Sequence, residues 1–187
     1  LAKGMSVLIE GNKISQIAKS INVPQGAAVI DAKGKTLMPG LIDMHYHTVW
    51  AAMPLNEIMV AQDGYINFVA ADNSKKLLQQ GFTTVRDVAG NSFSIKRAID
   101  EGLVEGPRIF PSGAIISQTS GHGDFRGPNE TPENPGTPLD YFQRIGMTIV
   151  ADGVPEVLQA TRDNLRMGAT QIKLAAGGGV ASNFDPL

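Results

Sequence analysis

The pattern of the chain changes at Pro39 and Gly40, and this change restricts the fold more than any other feature. After it, apolar stretches of strand length alternate with amphipathic stretches of helix length, which is typical of βαβ units and a parallel sheet. Strands are predicted at residues 41–47, 83–88, 108–110 with a continuation towards 116, and 171–174. Helices are predicted between them at residues 65–80, 93–101 and 155–167.

Four such units in succession predict an α/β fold, the first half of a (β/α)8 TIM barrel for residues 39–187. A complete barrel needs about 250 residues. An open parallel sheet is the competing architecture, but no glycine-rich phosphate loop follows the first strand. The apolar faces are expected to be Ile66, Val69, Ala70, Asn73 and Leu77 on the first long helix, and Val157, Leu158, Thr161 and Leu165 on the last.

Residues 1–38 read differently, as short β pieces separated by turns. Alternating apolar residues on both sides of Gly11 and Asn12 predict a hairpin, and residues 24–38 repeat the pattern after a turn at Pro24. We therefore predict a small β module at 1–38 and a barrel domain at 39–187. Residues 121–146, with four prolines, predict a long functional loop.

Composition excludes several classes of protein. The 187 residues carry 16 basic and 18 acidic side chains, a net charge of −2, so neither nucleic acid nor an anionic membrane surface is an expected partner. The absence of cysteine excludes disulfides, a thiolate nucleophile and Cys-ligated zinc. No stretch is apolar enough to span a bilayer and no signal peptide is visible, so we expect a cytoplasmic or periplasmic protein. The first residue is not Met, which suggests that an upstream segment has been removed.

Two histidines at the end of the first predicted strand are the leading candidates for chemistry. His45 and His47 are two residues apart, and the period of a strand puts both on one face, where two imidazoles can chelate a divalent metal. The alternative is a pair of hydrogen-bonded structural histidines. Asp43 lies on the same face, either orienting an imidazole or stabilising the start of the strand.

The other candidates lie on later strands and loops. Lys173 stands in the middle of a predicted strand, and a buried lysine amine can react with carbon dioxide to give a metal-bridging carbamate, unless the side chain extends to solvent. His122, between two glycines, can bind a substrate carboxylate or carbonyl or be a solvated loop residue. Asp87 is a weaker candidate, with a helix-capping or ion-pairing role as its alternative. Residues 177–179 are three glycines, interpreted as a tight turn near the metal.

Taken together, these motifs resemble the amidohydrolase superfamily of metal-dependent hydrolases. Residues 37–47, which include Pro39, Gly40, Asp43, His45 and His47, are similar to its first-strand signature. Residues 81–87, 106–108, 120–124 and 172–173 resemble, more narrowly, the branch of imidazolonepropionase-like proteins and Xaa-Pro dipeptidases or carboxypeptidases.

The resemblance implies a distorted barrel flanked by a β-sandwich, with residues 1–38 as part of the sandwich. It implies two divalent metal ions, usually zinc, with His45 and His47 binding the more buried one and a Lys173 carbamate bridging both. Lys173 would thus also be catalytic, and His122 would contact the substrate. A metal-bridging hydroxide would then attack the amide carbonyl of a dipeptide or N-acyl amino acid.

The same resemblance places two further histidines and a general-base aspartate beyond Leu187. We therefore expect the remaining ligands to come from a C-terminal half or a second chain, and a homo-oligomer is expected. This chain alone is expected to be inactive. Two alternatives remain open: a truncated homologue without catalytic activity, and a hydrolase of cyclic amides of the imidazolonepropionase type.

Overall fold

The computed structural model describes residues 2–132 and 136–177, and these form two compact units, Leu1–Met38 and Pro39–Leu187. The predicted turn at residues 178–179 and part of the long proline-rich segment lie outside the described residues. No helix in the described part of the chain is long and apolar enough to cross a membrane.

The first unit contains a hairpin. Strands β1 (Ser6–Glu10) and β2 (Lys13–Ala18) pair antiparallel around a turn at Gly11, whose φ of +60° suits a residue without a Cβ. The predicted hairpin is therefore confirmed. The prediction of further strands over 24–38 is wrong, because these residues form turns and extended chain, and Val29 and Ile30 remain 74% and 89% exposed. The β-sandwich stays a prediction.

The second unit contains two parallel sheets. In the first, β3 (Leu41–Tyr46), β4 (Phe82–Asp87) and β5 (Arg108–Pro111) lie side by side in that order. In the second, β6 (Ile115–Ser117) lies between β7 (Thr148–Val150) and β8 (Leu174–Ala175). All of these pairs are parallel, as the alternation of strands and helices predicts.

Helices connect these strands and cover one side of the sheets. They are α1 (Leu55–Ile58), α2 (Asp63–Gln79), α3 (Phe93–Asp100), α4 (Tyr141–Arg144) and α5 (Val154–Met167). The main core joins α2 and α3 to the first sheet through Ile66, Val85, Ile95 and Ile109, each at most 4% exposed. Burying these side chains supplies the main driving force for folding of this unit.

The predicted face of α5 is confirmed at Val157, which packs against buried residues, and at Thr161, which is partly buried, but it is wrong at Leu158 and Leu165. Leu158 and Leu165 are 44% and 52% exposed, whereas Ala160 and Asn164 are buried. The position of Asn164 explains the difference, because its side chain accepts from Ala114 N–H (3.1 Å) and donates to Ala114 C=O (3.0 Å). These two hydrogen bonds to buried backbone groups direct the Asn164 face of the helix inward. A count of apolar residues alone would not select that face.

The single strand predicted from 108 to 116 is in fact two strands in different sheets. Gly113, at φ +73°, interrupts the extended backbone between β5 and β6. A Cβ at this position would overlap the amide group of Asn164. Two other boundaries also differ from prediction. The long loop contains α4 and is followed by β7, and the last strand begins at Leu174 rather than residue 171 because Gln171 and Thr170 bond to other strands.

Candidate active site

The carboxyl end of β3 carries the two predicted histidines on irregular backbone. The pairing of β3 with β4 changes register between Asp43 and Tyr46, and the carbonyl of Met44 accepts a 2.6 Å hydrogen bond from Arg86 Nε. An irregularity of this kind redirects side chains relative to a regular strand. As a result His45 is exposed and His47, the first residue after the strand, is partly buried.

The two imidazole rings face each other closely. Their centroids are 5.3 Å apart and the rings are nearly perpendicular. Burial is the largest cause of a lowered pKa at His47, and the positive potentials of His45, Lys173 and His122 lower it further. Asp43 acts in the opposite direction. His47 is therefore biased towards the neutral imidazole, which is the form that binds metals.

These two side chains fit part of a divalent metal site. With metal–nitrogen bonds of about 2.0–2.1 Å, each ring centre lies roughly 3 Å from the ion, so rings 5.3 Å apart can share one ion. Nδ1 of His47 is buried and lacks a hydrogen-bond partner among the described residues. The described residues contain no group of three or more His, Cys, Asp or Glu placed to hold a metal, so other ligands must complete the site.

Asp43 serves the backbone of this strand end. Its Oδ1 accepts the N–H of His45 at 2.9 Å, which fixes the local turn of the chain between the two residues. Its negative potential also reaches His47. The backbone bond fits the predicted role of stabilising the strand, and the role of orienting an imidazole stays a prediction.

Lys173 is held by the segment that precedes β8. Gln171 Nε2 donates to the carbonyls of Asp87 (3.0 Å) and Phe110 (2.8 Å), and the Lys173 carbonyl accepts from Ile116 N–H at 3.0 Å. This segment is therefore bonded to β4, β5 and β6. The Lys173 side chain is partly buried and close enough to His47 to affect its pKa. Tertiary contacts thus bring together two candidates that lie 126 positions apart in sequence.

His122 lies in a tight loop after β6 and also influences the pKa of His47. Gly121 and Gly123, on either side of it, pack against Ser117 so closely that a Cβ at either position would overlap that side chain. Ser120 adopts the left-handed conformation, with φ of 60°. Because that conformation is uncommon for a residue with a side chain, the surrounding contacts must hold the loop in place.

Sequence reasoning missed the ion pair beside this loop. Arg126 donates from Nε to Asp124 Oδ1 and from an Nη to Oδ2, both at 2.7 Å, and the side chains are only 11% and 7% exposed. Burial acts to raise the pKa of Asp124, but hydrogen bonds from Arg126 and from backbone amides outweigh it and hold the pKa below its usual range. The glycines around His122 were the available signal of a constrained loop.

Asp87 is part of the protein interior and is not exposed at the rim of the site. It is fully buried at the end of β4, and its Oδ1 accepts from the amides of Thr48 (3.4 Å) and Ala89 (3.5 Å). Burial raises its pKa to about 6, partly offset by the nearby Ser92 and Thr48 hydroxyls, which lie outside hydrogen-bonding geometry, and by the two amides. Neither a helix cap nor an ion pair at Asp87 is found within the described ranges.

Two clefts lie on the surface near the loop, with volumes of about 430 and 340 Å³. Arg126 and Glu130 line both of them, whereas His45, His47 and Lys173 line neither. The electrostatic contacts of His47 with His45, Lys173 and His122 therefore locate the candidate site better than the shape of the surface does.

The matched family and this geometry agree. Residues 36–186 match the amidohydrolase family. The chain belongs to that family. Its members with known activity are hydrolases, and its structural neighbours belong to the TIM-barrel superfamily, in which active sites lie at the carboxyl ends of the strands. His45 is the next-to-last residue of β3, and His47 and the His122 loop follow the ends of β3 and β6.

Individual relatives narrow the comparison. The ochratoxinase of Aspergillus niger is 37% identical over 159 residues, 80% of this chain. A prolidase solved in complex with N-methylphosphonate-L-proline is 39% identical with a TM-score of 0.84, covering 97% of this chain. A Xaa-Pro dipeptidase with methionine in its active site is 32% identical with a TM-score of 0.75, covering 95% of it. The chain spans 32% of the ochratoxinase and 44% and 43% of the two peptidase structures, and corresponds to their N-terminal part.

Proposed function

We propose that this chain supplies the first half of the active site of a metal-dependent hydrolase that cleaves the amide bond of a dipeptide or N-acyl amino acid. The observation that carries the proposal is the convergence of His45, Lys173 and His122 on the partly buried His47. The prolidase and Xaa-Pro dipeptidase neighbours, together with the ochratoxinase relative, support an amide of this class as substrate.

In this proposal His45 and His47 hold the more buried of two divalent ions, most simply zinc. The Lys173 amine would add to carbon dioxide with loss of one proton, giving a carbamate whose single negative charge is shared by two oxygens and which would help to hold both ions. When bound, the metals supply Lewis acidity and an activated water for hydrolysis. The rest of the ligands and the barrel come from a C-terminal half or a second chain.

His122 is proposed to bind the substrate and not the metal. It lies on a constrained loop at the carboxyl end of β6, close enough to His47 to share its electrostatic field. An imidazole there can donate a hydrogen bond to a substrate carboxylate or carbonyl oxygen. The two flanking glycines let the loop pack directly against Ser117, which fixes the backbone that carries the ring.

The first test measures metal and activity in a full-length protein that carries this chain. His47→Ala should lose the bound metal and reduce hydrolysis at least 1,000-fold, because a ligand at the centre of the site is gone. His122→Ala should retain the metal and raise KM, with hydrolysis still measurable, because His122 is proposed to bind substrate and not metal. Zinc retained at the level of the parent protein in both His45→Ala and His47→Ala would contradict the metal assignment.

The second test addresses Lys173 directly. In ¹³C-labelled bicarbonate the protein should show a carbamate carbon signal that is lost in Lys173→Arg, which keeps the charge but not the primary amine. Lys75→Arg is the control, since Lys75 is an exposed lysine paired with Glu105. A carbamate signal that persists in Lys173→Arg would assign the modification to another residue.

A substrate panel separates the proposed activity from its main competitor. A dihydroorotase of Geobacter sulfurreducens is 30% identical over 123 residues, 63% of this chain, which supports a cyclic amide as the second candidate. Faster turnover of Xaa-Pro dipeptides and N-acyl amino acids than of dihydroorotate supports the proposal. The opposite order favours the cyclic-amide hydrolase, and no turnover by a metal-loaded protein favours a homologue without catalytic activity.

A further inference from the structure

The loop around His122 is closed by the side chain of Asp124 as much as by backbone. Asp124 Oδ2 accepts the N–H of Ser120 at 2.9 Å, and the Asp124 N–H donates to the Gly121 carbonyl at 3.0 Å. These two bonds join both ends of the five-residue segment that has His122 near its middle. The side chain of Asp124 is therefore bonded to the residue that enters the loop.

Arg126 holds that carboxylate in one orientation. Its guanidinium makes two parallel 2.7 Å hydrogen bonds to the two oxygens of Asp124, and its own N–H donates to Oδ1 at 3.3 Å. A bidentate pair of this kind fixes geometry as well as charge. Because both side chains are almost completely removed from solvent, removing the carboxylate would take two short hydrogen bonds from a buried guanidinium.

Further contacts restrict the backbone on both sides of His122. Gly121 and Gly123 are packed against Ser117 at the end of β6, and the N–H of Gly121 donates to the Gln118 carbonyl at 2.9 Å. Rotation of the carboxylate of Asp124 would release Ser120 from its left-handed conformation. The position of the imidazole thus depends on a buried ion pair two to four residues further along the chain.

We propose that Asp124, held by Arg126, is a positioning residue that presents the His122 imidazole to the substrate. This rests on the proposed role of His122 in substrate binding. It adds a residue pair that touches neither substrate nor metal and yet sets the affinity for substrate. The pair acts on His122 through the closed loop between Ser120 and Asp124.

The test is a double-mutant cycle with His122 in the full-length protein. Asp124→Asn keeps the size of the side chain and removes its charge, and should raise KM about tenfold while kcat stays within threefold and the metal content stays unchanged. In a His122→Ala background the same substitution should have no further effect, because its route to the substrate is already gone. An equal loss of kcat/KM in both backgrounds would overturn the proposal.

Two further variants separate positioning from general stability. Asp152→Asn removes a similar loop bond, since Asp152 accepts from Thr119 N–H (2.9 Å) and Oγ1 (2.6 Å), but it does not enclose His122, so KM should change less than threefold. Arg126→Lys keeps the charge and loses the bidentate geometry, so its KM should rise by about threefold to tenfold. If Asp124→Asn does not fold, Arg126→Lys takes its place in the cycle.

A spectroscopic measurement keeps this inference independent of the proposed function. The chain has three histidines, and their ring signals in the ¹⁵N-histidine-labelled full-length protein are assigned from the His45→Ala, His47→Ala and His122→Ala variants. In Asp124→Asn the His122 signals should move and broaden much more than those of His45 and His47. Unchanged His122 signals would overturn the positioning role, whereas a changed His122 with no hydrolysis by the parent protein would count against the proposed function alone.

Discussion

The candidate site presents its histidines in two different ways. His45 and His47 lie at the carboxyl end of β3. The backbone there is held by pairing with β4 and by the buried Asp87 of β4, which accepts the N–H of Thr48. His122 lies on a loop that is closed by an exceptional backbone conformation, two glycines and a buried ion pair. The first pair is placed by the sheet and the other histidine by a local side-chain network.

This difference indicates which contacts a substitution must break to move each group. A strand end is stabilised by many backbone hydrogen bonds, so single side-chain changes nearby alter stability more than position. The loop has few regular backbone hydrogen bonds. Its geometry depends on particular side chains and on the two glycines, where a side chain would not fit. We expect substitutions in the sheet to change mainly the free energy of unfolding, and substitutions in the loop to change mainly KM.

The largest effect on stability is expected within the sheets, at the break between β5 and β6. Asn164→Ala leaves both the N–H and the C=O of Ala114 buried without their partners, which costs about 4 kcal/mol at 1–3 kcal/mol for each group. Denaturant unfolding measures the change. Asn73→Ala is the matched control on α2 and should cost about 1 kcal/mol, because Asn73 makes a single hydrogen bond to Ala52. Equal costs for the two substitutions would contradict the stabilising role of the two hydrogen bonds between Asn164 and Ala114.

Asp87 gives the next largest effect, and it depends on pH. Its folded pKa, about 6, lies above the value of 3.8 for an unperturbed aspartate, so the folded protein binds this proton more tightly than the unfolded chain. The stabilisation from proton binding is therefore complete below about pH 4 and is lost as the pH rises through 6. The loss is about 3 kcal/mol, because each tenfold difference in proton affinity between the folded and unfolded chain corresponds to roughly 1.4 kcal/mol.

Asp87→Asn should remove this dependence, since an amide does not ionise. Its free energy of unfolding should rise relative to that of the parent protein between pH 4 and pH 7, by up to about 3 kcal/mol. Unfolding curves at several pH values measure the difference, and Asp163→Asn on half-exposed α5 surface provides the control. Parallel curves for Asp87→Asn and the parent protein would show that the buried carboxylate does not titrate in this range.

The smallest effect is expected at the irregular part of β3. Arg86→Ala removes a hydrogen bond from an exposed side chain to the Met44 carbonyl, which water can replace, so the cost should be below about 1 kcal/mol. The ring signals of His45 should shift slightly and those of His122 should not. A large shift at His122 would mean that the sheet and the loop are coupled and do not hold their histidines independently.

Much of the fold could be predicted from sequence because the signals are local. Strand and helix periodicity locate β3, β4, α2, α3 and α5 to within a few residues, and the spacing of His45 and His47 indicates a chelating pair. The predictions that were wrong depend on distant partners. Gly113 breaks a strand because Asn164 occupies the space beside it, and Gln171 leaves the ladder because its side chain bonds to β4 and β5.

Asp124 and Arg126 illustrate the same limit within the site. Nothing in two charged residues on a proline-rich segment distinguishes a solvated pair from a buried one, since burial depends on what packs above them. The sequence by itself determined the family, the alternation of strands and helices and the types of residue that can carry the chemistry. Only the tertiary structure decided which of them meet, because His47 follows a strand of the first sheet whereas His122 and Lys173 lie next to strands of the second. Contacts between distant parts of the chain, such as the bonds from Gln171 to β4 and β5, bring them together, and the energy of such contacts is absent from any local stretch of sequence.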